Sequence, residues 1–366
     1  MSVILCTTIK ISTYFHHRSV ISERYSLMKA AVLWALLLSV ATHTYANNNI
    51  LSEIKDRGYI RCGVNNSLLG FATKDGQGNW NGFDVEFCRA LSVAVFNSPD
   101  NIRYVPVTAK ERFSALKYNQ IDVLYRNSTM TATRDISLGI QFAGVNYYDG
   151  QGFMVHKDKT VSSAYKIQDT TFCMTDGTSN LQNLRDFIEV NNLQDRIKIL
   201  KLKSPQEMVE NLNSGNCNAT SSDQSQLYSL RTSLRNSKDY LILPEIISKE
   251  PLGPAVRRGD NNWFSVVRWT LNAMIEAEFL GLDSKNITAI KDSGSASGAA
   301  ARLIGSKGNI GQSLGLESNW AYNVISKIGN YGEVFERTIG SQSELGIARG
   351  LNAQWNDGGI LYSSPF

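Results

Sequence analysis

The sequence predicts an α/β protein of two lobes, each an open, mostly parallel sheet flanked by helices. Three observations carry this. A strand, a capping box (Thr108-Ala-Lys-Glu111), a helix and a second strand follow one another from Arg103 to Tyr125. The same order recurs 96 positions later: Ser204-Pro-Gln-Glu207 is again a capping box, Leu212 falls where Leu116 fell, and Cys217–Ser221 falls where Ile121–Tyr125 fell. Between and after these units lie two apolar, glycine-containing stretches, Tyr147–Val155 and Pro251–Val256. They read as strands that leave the first lobe and return to it, the two crossings of a hinge. The expected organisation is residues 1–46 ahead of the fold, 47–150 and 257–366 as lobe 1, and 151–256 as lobe 2 with the crossings.

The leading segment reads as a targeting signal. From Met28, Lys29 precedes an apolar run, Ala30 to Ala41, and Thr44-Tyr-Ala46 offers small residues for cleavage near Ala46. The signal thus covers about 28–46. Residues 1–27 have no apolar core, which leaves Met28 as an alternative start to Met1. The run is too short to span a bilayer, and no cysteine follows it to take a lipid anchor. A protein exported to the periplasm and free in solution is the expectation.

Composition removes several function classes. Without residues 1–46 the charge balance falls from 37 basic against 33 acidic residues to 33 against 32, so there is no electrostatic case for nucleic acid or an anionic membrane. Of four histidines only His156 lies beyond that point. A Ser-His-Asp arrangement or a histidine-rich metal site would have to be built around it, so no catalytic residue, metal or cofactor is expected. Cys62, Cys88, Cys173 and Cys217 show no CxxC spacing. In an exported chain they imply two disulfides, and the pairing Cys62 with Cys88 and Cys173 with Cys217 keeps each bridge inside one lobe.

Along the chain, Tyr59–Val64 reads as the first strand, and turns at Asp75-Gly-Gln-Gly78 and Asn81-Gly82 flank Trp80. Phe83, Phe87, Ala90, Leu91 and Ala94 recur at helical spacing with Asp84 and Glu86 in the first turn. Ile121–Tyr125 reads as a buried strand that runs into Asn127-Ser-Thr129 and then Arg134. Hydroxyls, amides and backbone N–H groups at a strand end can hold a small anion, and an arginine fork grips both oxygens of a carboxylate. In lobe 2, strand Thr171–Met174 leads to Asp176-Gly-Thr-Ser179 and a helix with Leu181, Leu184, Phe187 and Ile188 on its apolar face. Such a turn presents N–H groups and hydroxyls to an anion, although N-capping alone would also account for it. In the 96-residue offset Asp223 lands on Asn127, which puts both just past a strand's carboxyl end, where open α/β sheets bind ligands. Trp263–Phe279 reads as an amphipathic helix docked on lobe 1, Gly294–Gly315 as a loop without a phosphate-binding motif, Trp320–Phe335 as helical, and the remainder as an appendage on lobe 1.

Several stretches together carry a resemblance over essentially the whole mature chain: Cys62-Gly-Val-Asn65, Gly82-Phe-Asp-Val-Glu-Phe-Cys-Arg-Ala90, Ala109-Lys-Glu-Arg-Phe113, Arg126-Asn127, Phe142–Val155, Asp223-Gln-Ser225, Leu243–Val256, Asn319-Trp-Ala-Tyr322, Gly329-Asn-Tyr-Gly-Glu333 and Arg349-Gly-Leu-Asn-Ala353. The chain resembles the general L-amino-acid-binding proteins of ABC importers, periplasmic solute-binding proteins of family 3. That resemblance implies the two-lobed periplasmic-binding-protein fold of type II. It also implies an L-amino acid as ligand, membrane permease subunits as partners, and a monomer rather than an enzyme. The carboxylate-binding arginine of the family falls on Arg134, its ammonium-binding aspartate on Asp223, and its hydroxyl and amide donors on Asn127, Thr129, Thr178 and Ser179. Tyr125, Met130 and Leu69 depart from the family pattern, which bears on side-chain preference.

Phe71 and Tyr148 are aromatic candidates to cover the aliphatic part of such a ligand, with core packing as the alternative, and Asn65 is a further candidate. An amino acid is a zwitterion, and desolvating both its charges requires an opposite, hydrogen-bonded partner for each. If Arg134 and Asp223 belong to different lobes, only the closed arrangement supplies both. Two rivals use the same scaffold: a periplasmic dehydratase of the cyclohexadienyl or arogenate type, which needs a general acid near its substrate ring, and a sensory module that presents its closed form to a receptor.

Overall fold

A computed structural model describes residues 49–366; the leader pattern at 28–46 and the choice between Met1 and Met28 lie outside the described residues. The chain starts with helix α1 (Ile50–Arg57), whose first turn is capped by the Asn49 side chain and whose end is a left-handed Gly58. Then come β1 (Ile60–Val64), a short ribbon of β2 (Thr73–Lys74) and β3 (Trp80–Asn81), α2 (Phe83–Phe96), β4 (Ile102–Pro106), α3 (Arg112–Lys117), β5 (Val123–Leu124), α4 (Ala132–Ser137) and β6 (Ile140–Phe142). With β13 (Ala255–Arg257) these strands form a sheet of order β4-β1-β5-β13-β6. The second sheet is made by β7 (Tyr147–His156), β8 (Thr170–Thr175), β9 (Ile197–Leu202), β10 (Ala219–Asp223), β11 (Tyr240–Ile242) and β12 (Ser248–Leu252). Its order is β11-β7-β10-β8-β9, with β12 also on β7. Helices α5 (Ser179–Val190), α6 (Pro205–Ser214) and α7 (Gln224–Thr232) connect its strands.

The repeated βα unit governs both sheets. In the first, β1 runs parallel to β4 and β5; in the second, β8 runs parallel to β9 and β10. The expected parallel order thus belongs to the βα core of each sheet. Strands that arrive from the other sheet enter antiparallel: β13 against β5 and β6, and β7 against β10, β11 and β12. Both capping boxes form at their hydroxyl side, with Glu111 N donating to Thr108 Oγ1 and Glu207 N to Ser204 Oγ, each at 3.2 Å.

The chain passes between the sheets at Ala143–Asn146 and again at Gly253–Pro254. The two crossings are bonded side by side, Ala143 N to Pro254 O at 2.8 Å and Asn146 N to Leu252 O at 2.9 Å. Gly253 is required there, because a Cβ at that position would lie 2.0 Å from the Gly144 carbonyl oxygen. Tyr147–Gly150 therefore belong to the second sheet and Ala255–Val256 to the first, opposite to the boundaries at 150 and 257 expected from sequence. The reason is that ladder pairing continues from Leu252 to Tyr147 right up to the crossing.

Beyond β13, α8 (Asn261–Phe279) packs on the first sheet, with buried Trp263 donating its indole N–H to the Asp122 carbonyl at 2.9 Å. The glycine-rich stretch expected as loop instead holds α10 (Gly298–Leu303) and α11 (Ile310–Leu314) after α9 (Ile287–Asp292). The run Ala299-Ala-Ala301 is a strong helix former, and Ala301 and Leu303 give it a buried face. The stretch read as helical over 320–335 holds two helices, α12 (Trp320–Ile328) and α13 (Tyr331–Thr338), broken at Gly329 with φ +96° and restarted by an Asn330/Glu333 capping box. The C-terminal residues pack on this layer through Phe366, whose ring lies edge-on to Trp269, while Trp355 stays half exposed beside Phe279.

Both disulfides pair as expected. Cys62–Cys88 ties β1 to α2, and Cys173–Cys217 ties β8 to the turn before β10; all four residues are buried. The bridges close 26 and 44 residues of sequence separation. Replacing Cys173 and Cys217 together by Ala is expected to cost about 4 kcal/mol of stability, and Cys62 with Cys88 about 3.5 kcal/mol, as loop-closure entropy returns to the unfolded chain. Urea unfolding with equal m-values measures both.

Candidate functional site

A cleft lies at the carboxyl ends of β5 and β10, the ends of strands at which open α/β sheets bind ligands. Asn65, Leu68, Ala109, Arg112, Arg126, Asn127 and Thr129 line it from the first sheet's side. Thr175, Thr178, Ser179, Asn180, Pro205, Met208, Ser222, Asp223 and Gln226 line it from the second.

Asp223 is the last residue of β10 and is almost fully buried. Its carboxylate is gripped by two amides, Asn180 Nδ2 to Oδ1 at 2.7 Å and Gln226 Nε2 to Oδ2 at 2.9 Å. Burial, with the negative charges of Asp149 and Glu250 nearby, still holds its pKa well above the ordinary carboxylate range. Thr178 caps α5, accepting from Leu181 N at 3.2 Å. The adjacent Ser179 hydroxyl points across to Thr129, 3.3 Å from its Oγ1.

On the opposite side β5 delivers Arg126, Asn127, Ser128 and Thr129. Asn127 takes a left-handed backbone, φ +33°, and its N–H donates to Asp84 Oδ2 at 3.0 Å. Burial pushes the Asp84 carboxyl up to about 7 against that bond and the Arg126 charge. Thr129 bridges to Leu252 of the second sheet and donates its hydroxyl to Glu250 Oε2 at 2.5 Å. Glu250, 1 % exposed, also accepts from Ser179 Oγ, Asn183 Nδ2 and Ser248 Oγ. Four neutral donors thus replace its hydration, and two of them, Thr129 and Ser179, come from opposite sides of the cleft.

Three arginines gather on the first sheet's side. Arg112 and Arg126 are 3 % and 6 % exposed and form part of the cleft wall. Arg134 adjoins it, Nη1 donating to the Thr129 carbonyl at 2.8 Å and its guanidinium 5.1 Å from the Phe113 ring centre. Burial lowers the pKa of Arg134, and the charges of Glu250 and Asp223 partly restore it. Burial and the charges of Arg126 and Arg134 push Arg112 well down, and burial brings Arg126 to about 10.

Of the residues singled out from sequence, Asn65, Asn127, Thr129, Thr178, Ser179 and Asp223 line the cleft; Arg134 is not among the lining residues but is bonded to the carbonyl of Thr129, which is. Phe71 does not. It is 1 % exposed and packed edge-on to Phe83 and Tyr147 in the first lobe's aromatic cluster, so core packing prevailed. Tyr148 lies on another surface, where its N–H donates to Asn352 Oδ1 at 2.7 Å. Sequence reasoning missed Arg112, Arg126, Asn180, Gln226 and Glu250. The only signal was proximity: Arg126 and Asn180 directly adjoin residues already singled out. Among the described residues no group of histidine, cysteine and acidic side chains is placed to hold a metal ion, and no helix is long and apolar enough to cross a membrane.

Comparison with known proteins agrees with this architecture. The chain is 48 % identical over 338 residues to the general L-amino acid-binding periplasmic protein AapJ of Rhizobium johnstonii, covering 92 % of this chain and 98 % of that one. It is 43 % identical to the glutamate/glutamine/aspartate/asparagine-binding protein BztA of Rhodobacter capsulatus, covering 93 % and 100 %. A solved structure of an ABC transporter periplasmic binding protein from Brucella ovis with glutathione bound is 46 % identical and superposes with a TM-score of 0.83, over 86 % of this chain and 98 % of that one. Residues 60–285 match the family described as bacterial extracellular solute-binding proteins, family 3. With that match over more than half its length and relatives this similar along nearly all of it, the chain belongs to family 3 of the bacterial extracellular solute-binding proteins.

Proposed function

We propose that the cleft captures an L-amino acid in the periplasm and that the closed protein delivers it to the permease of an ABC importer. The observation that carries this is a buried carboxylate, Asp223, on one sheet, sharing a cavity with arginines and hydroxyls carried by the other. In this reading the ligand ammonium meets Asp223, and its carboxylate meets the donors at Asn127, Thr129, Thr178 and Ser179 together with Arg134, whose guanidinium turns from the Thr129 carbonyl into the cleft to reach it. Neither lobe compensates both charges, so ligand stabilises the closed arrangement about the crossings at Ala143–Asn146 and Gly253–Pro254. The names of the relatives support the ligand class, the compartment and the transporter. Glutathione fits too, because its glutamyl residue keeps a free α-ammonium and α-carboxylate. Relatives at 43 % identity and above carry binding-protein names, which favours transport over a dehydratase.

Asp223→Ala is expected to weaken amino-acid binding by roughly 3 to 5 kcal/mol, because the ammonium would be buried without a counter-ion. Calorimetry reads this directly, and an unchanged affinity removes Asp223 from the site. Arg134→Lys is expected to weaken binding at least about tenfold, since a point charge cannot reproduce the bidentate fork; the unfolding midpoint should stay near that of the unmodified chain.

Proton linkage gives a further expectation. In the empty cleft Asp223 holds its proton well above the ordinary carboxylate range, and an incoming ammonium lowers that pKa again. Between the two values the free protein binds more protons than the complex, so affinity rises with pH and ligand uptake releases a proton. Titrations at one pH in buffers of different ionisation enthalpy should give heats whose slope corresponds to proton release. A zero slope throughout the range below neutrality contradicts the role given to Asp223.

A further inference from the structure

The amino-acid reading leaves two buried cations in the cleft without a task. Arg134 answers the ligand's α-carboxylate and Asp223 its ammonium, while Arg112 and Arg126 remain in the wall. Neither forms an ion pair within 4.0 Å among the described residues, where every arginine pair involves other residues. Each keeps one protein partner. Arg112 Nη1 donates to the Ala109 carbonyl and Arg126 Nε to the Val107 carbonyl at 2.8 Å. A guanidinium has five N–H donors, and Arg112 Nε is buried with no hydrogen-bond partner.

No neighbouring acid removes this deficit: Asp223, whose charge acts on Arg112, takes its hydrogen bonds from Asn180 and Gln226, and burial holds its pKa well above the ordinary carboxylate range. Asp84, whose charge acts on Arg126, already accepts from Asn127 N and is pushed up to about 7 by burial, so it is only partly ionised at neutral pH. Glu250 takes its four bonds from neutral donors. Leu68, Pro205, Met208 and Leu230 line the same cavity and offer apolar surface to methylene groups.

We propose that Arg112 and Arg126 form a second anion subsite in the cleft, which takes the side-chain carboxylate of a dicarboxylic amino acid. This rests on the amino-acid reading above and goes beyond it by naming the preferred side-chain chemistry and the residues that set it. Two unpaired guanidinium groups next to apolar surface complement an aliphatic chain ending in a carboxylate. The charge of such a ligand relieves the repulsion between the arginines, whereas a neutral side chain does not.

L-glutamate and L-glutamine have nearly the same shape and differ in that charge, so calorimetric titration of both tests the subsite. The mature protein is expected to bind glutamate about tenfold more tightly than glutamine at neutral pH. Arg112→Gln and Arg126→Gln, checked for folding by thermal melting, are each expected to weaken glutamate about tenfold and glutamine by less than about threefold. Glutamine bound as tightly as glutamate by the unmodified protein overturns the subsite even if neither variant folds. So does a folded variant that loses both ligands in parallel. The amino-acid reading itself survives both of those results, and falls only if the unmodified protein takes up neither glutamate, glutamine nor any other amino acid.

Discussion

Charge stripped of water costs several kcal/mol per ion unless the protein supplies a substitute for that water, and this fold surrounds one cleft with such charges. Asp223 and Glu250 approach from the second sheet, Arg112, Arg126 and Arg134 from the first. The protein answers each of them in part. Amides from Asn180 and Gln226 hold Asp223, four neutral donors hold Glu250, and single backbone carbonyls hold the arginines. Most of the polar architecture around the cleft, including the fully buried Gln151 that joins Asn180, Asn183 and Ser221, exists to keep these ions in place.

The crossings are tied into this same network. Gly253 N donates to the Ser128 carbonyl at 3.1 Å, and Met130 N to the Pro251 carbonyl at 2.8 Å. The loop that carries Thr129 is thus stitched to the strand that carries Glu250 at the point where the chain passes between sheets. Rotation of one sheet against the other cannot leave the Thr129, Ser179 and Glu250 contacts unchanged. Binding groups and hinge are one mechanical unit, which is how a small ligand's charges can govern a motion of whole lobes.

Local chemistry was readable from the sequence, and long-range chemistry was not. The hydroxyl bonds at Thr108 and Ser204 and the cap at Thr178 rest on interactions within a few residues and formed where expected, whereas the strand expected over 217–221 runs over Ala219–Asp223 and the helix after Thr108 starts only at Arg112. Phe71 misled because its edge-on partners Phe83 and Tyr147 stand 12 and 76 residues away, and no pattern in sequence ranks a core aromatic below a ligand-facing one. Glu250 lies 121 residues from Thr129, and the polar run Ser248-Lys-Glu that holds it carries no local mark that this carboxylate is buried among donors from other elements. Arg112 reads in sequence as one more residue of the helix that follows the Thr108 capping box. Only the turn of α3 toward the end of β5 makes it part of a cleft.

Acids and arginines differ in how they tolerate an empty cleft. A buried carboxyl such as Asp223 can take up a proton and present a neutral group, which removes most of the desolvation cost until an ammonium arrives to restore the charge. A guanidinium has no such refuge, because even a strongly depressed pKa leaves it protonated at neutral pH. The arginines therefore keep their charge whether or not a ligand is present, and their mutual repulsion persists as a standing cost that carbonyl partners only partly offset. An anion is the species that removes that cost. The resting electrostatics of the cleft are in this way biased toward ligands that bring more negative than positive charge, and the bias resides in Arg112 and Arg126 rather than in the residues that hold the α-amino acid head.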